Sequence, residues 1–277
     1  MRMKKWLYSF CSILLIGLFA GCGKEEAKEQ EITFYAAKSL NAVSEELIAL
    51  YQQEHPEVKI RGSYDSSGTL MEGILNGHVV DIFFSASKTQ MNQLEKEGLV
   101  VEGSEVDLLN NQVCVVTYQG SGTKVKGLQN LEEAKSIALA DGSVPVGKYT
   151  REALVAAGLV EAKGEVAKIS TMEISEALGN VTINECSNVG AVVTAVMEGA
   201  NEVGTVYYSD VYGKEDSLEI LEMVSYDLTG NVIYPVAQIK NERADKQQME
   251  AVKSFLTFLQ SDEAKKVFEK YHFDVID

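Results

Sequence analysis

Short apolar runs alternate with helical patterns along most of the chain, and this order constrains the fold more than any other feature. In the first half, EITFYAA, VKIRGSY and VDIFFSAS have the composition of strands, and SSGTLMEGILNG and TQMNQLEKEGL have helical periodicity. The helix between the first two strands carries an apolar face formed by Leu40, Val43, Leu47, Leu50 and Tyr51. This β-α-β-α-β-α order predicts a parallel sheet with helices on both faces.

A second run of the same kind begins at NQVCVVTY. It continues through the helix LQNLEEAK, the strand SIALA, the helices YTREALVAAG and VGAVVTAVMEG, and the strand VGTVYYS. Segment 160–188 has a mixed pattern that is compatible with a short helix and a strand. LEILEMVSYD and the strand VIYPVAQIK follow, and one long helical pattern, from Met249 to Phe268, leads to the C-terminus.

No disordered linker separates the two runs, so we predict an α/β protein of two lobes that share a cleft. The first lobe would contain residues 31–112 and 230–277, because the C-terminal helix is expected to return to it. The second lobe would contain residues 113–229. Some 245 residues follow the N-terminal region, which is enough for two such units.

The N-terminus has the pattern of an export signal. Three basic residues precede an apolar run at 6–19, which is shorter than the roughly 20 residues of a membrane-spanning helix. The next residues, FAGC, resemble a bacterial lipobox, which implies cleavage after residue 21 and a lipid on Cys22. We therefore predict a signal peptide at 1–21, a lipid-anchored flexible tether at 22–30, and a location on the extracytoplasmic face of the membrane. A plain secretory signal with an incidental Cys22 is the alternative.

The charge balance excludes several classes of partner. Cleavage would remove three basic residues and no acidic ones, which changes the net charge from −16 to −19. Such a surface disfavours nucleic acid and anionic lipid surfaces, and any anion site must use local donors. Cys114 and Cys186 remain after processing, and the sequence leaves their pairing open although an exported protein permits a disulfide.

Serines stand at two consecutive strand-to-helix junctions. Ser39 follows the first strand and is a candidate N-cap, and Ser66 and Ser67 follow the second strand. Helix N-termini present free N–H groups and the positive end of the helix dipole. Because the carboxyl ends of neighbouring parallel strands share one crevice, the two junctions indicate an anion site there. Ordinary helix caps are the alternative.

Motifs for catalysis, nucleotides and metals are weak. Residues 142–148 fit the phosphate-loop pattern G-x-x-x-x-G-K, but Tyr149 stands where that loop needs Ser or Thr. The three histidines are scattered and have no metal-ligand spacing, and no G-x-S-x-G elbow is present. We therefore predict neither an enzyme nor a bare metal site, and no cofactor.

Seven segments in order resemble the substrate-binding lipoproteins of bacterial molybdate ABC transporters. They are ITFYAAKSL, YDSSGTL, VDIFFSAS, VPVGKYTREAL, NVGAVVTAVMEGANEVGTVYYSD, YPVAQIK and FEKYHF. The resemblance covers essentially the whole mature chain. It implies the type II periplasmic-binding-protein fold, in which two α/β lobes close on molybdate or tungstate. It also implies an ABC permease, and through it an ATPase, as partners, and we expect a monomer.

The resemblance also implies a set of ligand donors. Ser39 and Ser67 would each supply a hydroxyl and a backbone N–H, Val146 and Val189 a backbone N–H, and Tyr207 its phenolic hydroxyl. Fixed donors of this kind would repay the lost hydration of a dianion without a full countercharge. Donors at fixed positions would also discriminate between ligands by size, so sulfate should bind less tightly than molybdate, whereas tungstate should be accepted.

Three departures from the family pattern affect these expectations. Lys38 could bring a positive charge to the site, and Asp65 is acidic where a small residue is usual. Segment 164–186 is longer than in the better-known members of the family. A binding protein for another tetrahedral oxyanion, such as sulfate or phosphate, is the nearest alternative, and Asp65 is the residue that could accept the proton of monohydrogen phosphate. An anchored hydrolase and a scaffold protein are alternatives from other classes.

Overall fold

A computed structural model describes residues 29–276 of the 277-residue chain. The predicted signal peptide, the lipid site Cys22 and most of the predicted tether lie outside the described residues. Gln30, which we assigned to the tether, is the first residue of a strand.

The described residues form eleven strands and ten α-helices. The strands are β1 (Gln30–Ala37), β2 (Val58–Asp65), β3 (Ile82–Phe84), β4 (Val106–Asn111), β5 (Val113–Tyr118), β6 (Ser136–Ala140), β7 (Thr182–Cys186), β8 (Val203–Tyr207), β9 (Leu218–Met223), β10 (Val232–Gln238) and β11 (Asp274–Val275). The helices are α1 (Asn41–Glu54), α2 (Ser67–Leu75), α3 (Lys88–Lys96), α4 (Pro145–Ala156), α5 (Thr171–Ala177), α6 (Val189–Met197), α7 (Tyr208–Val211), α8 (Tyr226–Thr229), α9 (Lys246–Leu259) and α10 (Asp262–Lys270).

A six-stranded sheet with the order β11-β4-β10-β3-β1-β2 forms the first lobe together with the helices that pack on it. β1 pairs in parallel with β2 and β3, as the sequence predicts. The other side of the sheet is antiparallel, because β10 is antiparallel to β3 and β4, and β11 is antiparallel to β4. The physical reason is that β10 enters the sheet from the second lobe and so runs in the opposite direction.

A five-stranded sheet with the order β7-β6-β8-β5-β9 forms the second lobe. β6 is parallel to β7 and β8, whereas β5 is antiparallel to β8 and β9. Cys114 in β5 and Cys186 in β7 are both free and buried. The α/β architecture of two units, each built on its own sheet, is confirmed.

Two short segments connect the lobes. Only Gln112 separates β4 in the first sheet from β5 in the second, and residues 224–231 lead the chain back from β9 to β10. The two crossings are bonded to each other, because the Val224 N–H donates to the Val113 carbonyl at 2.8 Å and Gln112 Nε2 donates to the Val224 carbonyl at 2.9 Å. The two crossing segments therefore lie side by side between the two sheets.

The C-terminal helices cover the first sheet. Phe255 of α9 packs edge-to-face on Phe34 of β1, with ring centroids 5.8 Å apart, and Phe268 of α10 packs on Phe84 of β3. The prediction of one long helix is wrong, because Ser261 starts a new helix by accepting a hydrogen bond from the Ala264 N–H at 3.2 Å.

Other local differences follow from short or irregular elements. The predicted helix LQNLEEAK is a 3₁₀ turn at Leu128–Glu133 with a non-helical residue, Asn130, inside it. β4 was not predicted because its sequence, VDLLNN, is of mixed polarity and ends in polar residues. Segment 160–188 contains α5 and β7. No helix in residues 29–276 has the length and apolar character that crossing a membrane requires.

Candidate functional site

A small cavity lies between the two lobes, at the carboxyl ends of β1, β2, β6 and β8. The first lobe contributes Ala37, Lys38, Ser39, Ser66, Ser67 and Ala86. The second lobe contributes Val144, Pro145, Val146, Val189 and Tyr207. All five predicted ligand residues therefore line one cavity, and their role as donors to a ligand stays a prediction.

Ser67 is the first residue of α2 and is completely buried. Its neighbour Ser66 caps the helix by accepting a hydrogen bond from the Thr69 N–H at 3.1 Å. The Ser67 Oγ accepts a hydrogen bond from the Ala86 N–H at 2.9 Å. Because this bond occupies a lone pair, the hydroxyl hydrogen and the N–H of Ser67 are left for the cavity.

Ser39 does not cap a helix, so that prediction is wrong. It lies inside a 3₁₀ turn at Lys38–Leu40, and α1 begins after Leu40 without a side-chain cap. Its Oγ instead lies 3.0 Å from the hydroxyl of Tyr234, which accepts a hydrogen bond from Asn111 Nδ2 at 3.2 Å. Either hydroxyl can donate in this pair, and the Ser39 hydrogen is available to a ligand when Tyr234 is the donor.

Val146 lies in the first turn of α4, directly after Pro145 at the first helical position. Proline is favoured there because that position needs no N–H, and the next residue presents the first free backbone donor.

Arg151 holds the first turn of α4 in position. Its buried guanidinium donates to the carbonyls of Ala140 at 2.8 Å and Gly147 at 2.9 Å, and so joins the end of β6 to the start of α4.

Val189 is the first residue of α6 and presents the equivalent backbone donor on the other side of the cavity. Asn188 caps the helix, with its Oδ1 accepting a hydrogen bond from the Ala191 N–H at 3.0 Å. The N–H groups of the first turn have no intrahelical acceptor, so the positive end of α6 is directed at the cavity.

Tyr207 is the last residue of β8 and is 1% exposed. Its backbone N–H donates to the carboxylate of Asp210 at 3.0 Å, which holds the residue in place. Its hydroxyl makes no hydrogen bond of ordinary length and angle with the described residues, although the hydroxyl of Tyr234 lies near enough to influence its pKa. Burial raises the pKa of Tyr207 well above its ordinary value, so the hydroxyl keeps its proton and remains a donor. The buried hydroxyl of Tyr207 can therefore donate to an oxygen of a ligand in the cavity.

The lining combines hydroxyls and N–H groups with one cation. No acidic side chain in the described part of the chain lines the cavity. Lys38 lines it, and no carboxylate within residues 29–276 is in ion-pair range of its ammonium group. The apolar side chains of Ala37, Ala86 and Val144 keep water away, which strengthens electrostatic attraction inside. The arrangement is suited to a small, fully deprotonated anion.

Asp65 does not line the cavity. Its Oδ1 accepts hydrogen bonds from the Ser66 N–H at 2.7 Å and from Asn188 Nδ2 at 3.1 Å. The expectation that it could accept a proton from a bound phosphate therefore has no support from its position.

Sequence reasoning did not identify Arg151, Asn188 or Tyr234 as parts of this site. Arg151 has the pattern of a polar residue in an amphipathic helix, and nothing nearby in sequence indicates that it is buried. Asn188 could have been recognised as an N-cap before an apolar helical run. No group of three or more His, Cys, Asp or Glu side chains suited to a metal ion is found in residues 29–276.

The model of one protein family, described as bacterial extracellular solute-binding protein, matches residues 32–274. The chain is 28% identical over 276 residues to a putative ABC transporter substrate-binding lipoprotein, YvgL, of Bacillus subtilis, with 98% of each chain covered. It is 26% identical over 263 residues to the molybdate-binding protein ModA of Haemophilus influenzae, with 92% of this chain and 94% of that protein covered.

Solved structures with the same fold include the substrate-binding domain of a putative molybdenum ABC transporter from Clostridium difficile. The two chains are 28% identical and superpose with a TM-score of 0.65, and the matched region covers 89% of this chain and 99% of that domain. The periplasmic molybdate-binding protein of Azotobacter vinelandii (17% identical, 89% and 100% covered, TM-score 0.71) shares the fold, as does the sulfate-binding protein SubI of Mycobacterium tuberculosis (15% identical, 90% and 88% covered, TM-score 0.70).

These similarities confirm the two-lobed periplasmic-binding-protein fold, and the family match extends over most of the chain. The family is defined by solute binding outside the cytoplasm and not by catalysis. The chain belongs to the bacterial extracellular solute-binding protein family.

Proposed function

We propose that this protein captures molybdate, and also tungstate, outside the cytoplasm and delivers the ion to an ABC permease that is driven by its ATPase. The lipid on Cys22 would hold the protein, as a monomer, at the outer face of the membrane. The similarity to the molybdate-binding protein ModA and to the lipoprotein YvgL supports this function for the chain.

The observation that carries the proposal is the set of residues with hydrogen-bond donors that line one cavity. The hydroxyls of Ser39, Ser67 and Tyr207 and the first-turn N–H groups at Val146 and Val189 converge from both lobes. Each charge-assisted hydrogen bond to a dianion contributes roughly 1.5–3 kcal/mol net. Several such bonds and the helix dipoles can therefore offset the dehydration of a doubly charged tetrahedral ion.

The chemistry of the lining bears on the choice among oxyanions. Monohydrogen phosphate carries a proton that needs an acceptor, and the described lining offers no carboxylate. Sulfate carries no proton but is smaller than molybdate, and hydrogen bonds tolerate only about 2.7–3.2 Å between donor and acceptor. Since the donors are attached to two separate lobes, a smaller ion would lose at least one of them.

Calorimetric titration of the mature chain with molybdate, tungstate, sulfate and phosphate tests the proposal. We expect molybdate and tungstate to bind with similar affinity. We expect sulfate to bind at least about tenfold less tightly, because one charge-assisted hydrogen bond is lost, and phosphate to give no measurable heat. Tighter binding of sulfate or phosphate would assign the site to that ion, and no heat with any of the four would contradict an oxyanion function.

A further inference from the structure

One carboxylate oxygen joins the two lobes at the edge of the cavity. Asp65 ends β2 in the first lobe, and its Oδ1 accepts hydrogen bonds from the Ser66 N–H at 2.7 Å and from Asn188 Nδ2 at 3.1 Å. Asn188 belongs to the second lobe and lies 123 positions further along the chain. This bond can exist only when the lobes are as close together as in this structure.

Both partners of Asp65 are helix caps. Ser66 caps α2, whose first residue is Ser67, and Asn188 caps α6, whose first residue is Val189. Ser67 and Val189 line opposite sides of the cavity. The Asp65 carboxylate therefore connects the two helix N-termini that would hold the ligand, although it does not line the cavity itself.

The hydrogen bond between Lys148 and Thr89, which also crosses the cleft, is less constrained. Lys148 Nζ donates to Thr89 Oγ1 at 3.1 Å, but the same ammonium group lies 3.4 Å from Glu152 and sits at the end of a long side chain. Asp65 and Asn188 have short side chains, and each is fixed by a second hydrogen bond within its own lobe. Their contact is thus the better candidate for a specific latch.

We propose that the Asp65–Asn188 hydrogen bond is a closing latch that sets how long the bound anion is retained. The identity of the retained anion rests on the proposed function, whereas the latch itself does not. Asp65 also places a negative charge beside the residues that line the cavity, and this charge opposes the approach of a dianion. The latch therefore slows dissociation, and the charge slows association.

Three substitutions separate these two effects. Asn188→Ser keeps a side-chain oxygen that can cap α6 but removes the amide that reaches Asp65. Asp65→Asn keeps an acceptor oxygen and removes the charge. Asp65→Ala removes both. The pair Asp65→Asn and Asp65→Ala is thus matched, because only the second loses the hydrogen bond.

Energy transfer between dyes on the two lobes provides the measurement. The substitutions Glu95→Cys in the first lobe and Lys163→Cys in the second introduce thiols to which dyes can be attached, since both positions are exposed. Burial raises the pKa of the Cys114 and Cys186 thiols, so the native cysteines react slowly. Stopped-flow mixing with molybdate then gives association and dissociation rates, and the unmixed protein reports the closed fraction.

For Asn188→Ser we expect dissociation to be roughly tenfold faster with an unchanged association rate, because one charge-assisted hydrogen bond is lost. Asp65→Asn should accelerate association and change dissociation by less than about threefold, since a neutral hydrogen bond remains. Asp65→Ala should accelerate both rates. The double variant Asp65→Ala with Asn188→Ser should dissociate no faster than Asp65→Ala alone.

The ligand-free protein gives an independent result. We expect a smaller closed fraction in Asn188→Ser and Asp65→Ala than in Asp65→Asn or the unmodified chain. Equal closed fractions in all four proteins, or additive effects of the two substitutions on dissociation, would overturn the latch. Failure of the unmodified protein to bind molybdate would refute the proposed function, while the ligand-free comparison would still decide the latch.

Discussion

Replacing Tyr207 by Phe is expected to weaken molybdate binding by about 10- to 100-fold, because one charge-assisted hydrogen bond of roughly 1.5–3 kcal/mol is lost. The ligand-free protein should not lose stability. The Tyr207 hydroxyl is buried and makes no hydrogen bond of ordinary length and angle within residues 29–276, so its removal breaks no such bond. The two effects differ, which distinguishes loss of a ligand donor from general damage. Calorimetry and thermal unfolding measure them.

Tyr208→Phe is the matched control. Tyr208 is the next residue, but its ring stacks on His272 with centroids 4.1 Å apart, and it does not line the cavity. We expect the affinity for molybdate to stay within about twofold of the unmodified protein, in line with the small effect of changes away from a site. If Tyr208→Phe weakens binding and Tyr207→Phe does not, the assignment of the donor within the tyrosine pair is wrong.

Gly147→Ala is expected to raise the Kd for molybdate at least tenfold and to reduce the free energy of unfolding by about 1–3 kcal/mol. A Cβ at this position would overlap the backbone carbonyl oxygens of Ala140 and Asp141. The first turn of α4 must then move away from the end of β6, and the N–H of the adjacent Val146 moves with it. Denaturant unfolding and calorimetry together measure both effects.

Gly164→Ala provides the control for the added methyl group. A Cβ at Gly164 meets no atom within 4 Å, and its backbone is not in the left-handed region. We expect neither affinity nor stability to fall. Unchanged molybdate affinity in Gly147→Ala, despite lower stability, would show that the position of the α4 N-terminus does not matter for binding.

Periodicity was sufficient to predict the strands that are mainly apolar. β1, β6, β8 and β10 are runs of this kind, and the structure contains each of them. β4 and β11 could not be recognised, because a strand of mixed polarity and one of two residues take their stability from neighbours in the sheet. The division between α9 and α10 depends on the Ser261 cap, which interrupts the backbone without interrupting the apolar pattern.

The crevice at the ends of parallel strands could also be inferred from local patterns, and the resemblance to a known family selected the residues that line it. The groups that fix those residues could not be found in this way. Ser39 depends on Tyr234, 195 positions away, and Asn188 meets Asp65 across 123 positions. Such pairs are created by the packing of the lobes, and no local signal in one sequence specifies them.

The central claim is that uncharged hydroxyls and main-chain amides from both lobes hold one tetrahedral dianion in a strongly acidic protein. Anomalous diffraction from crystals grown with tungstate tests it most directly, because tungsten marks the ion unambiguously. The account predicts a single strong peak inside the cavity, with oxygens about 2.7–3.2 Å from donors of Ser39, Ser67, Val146, Val189 and Tyr207. A peak outside this cavity, or an ion held by donors of one lobe alone, would contradict it.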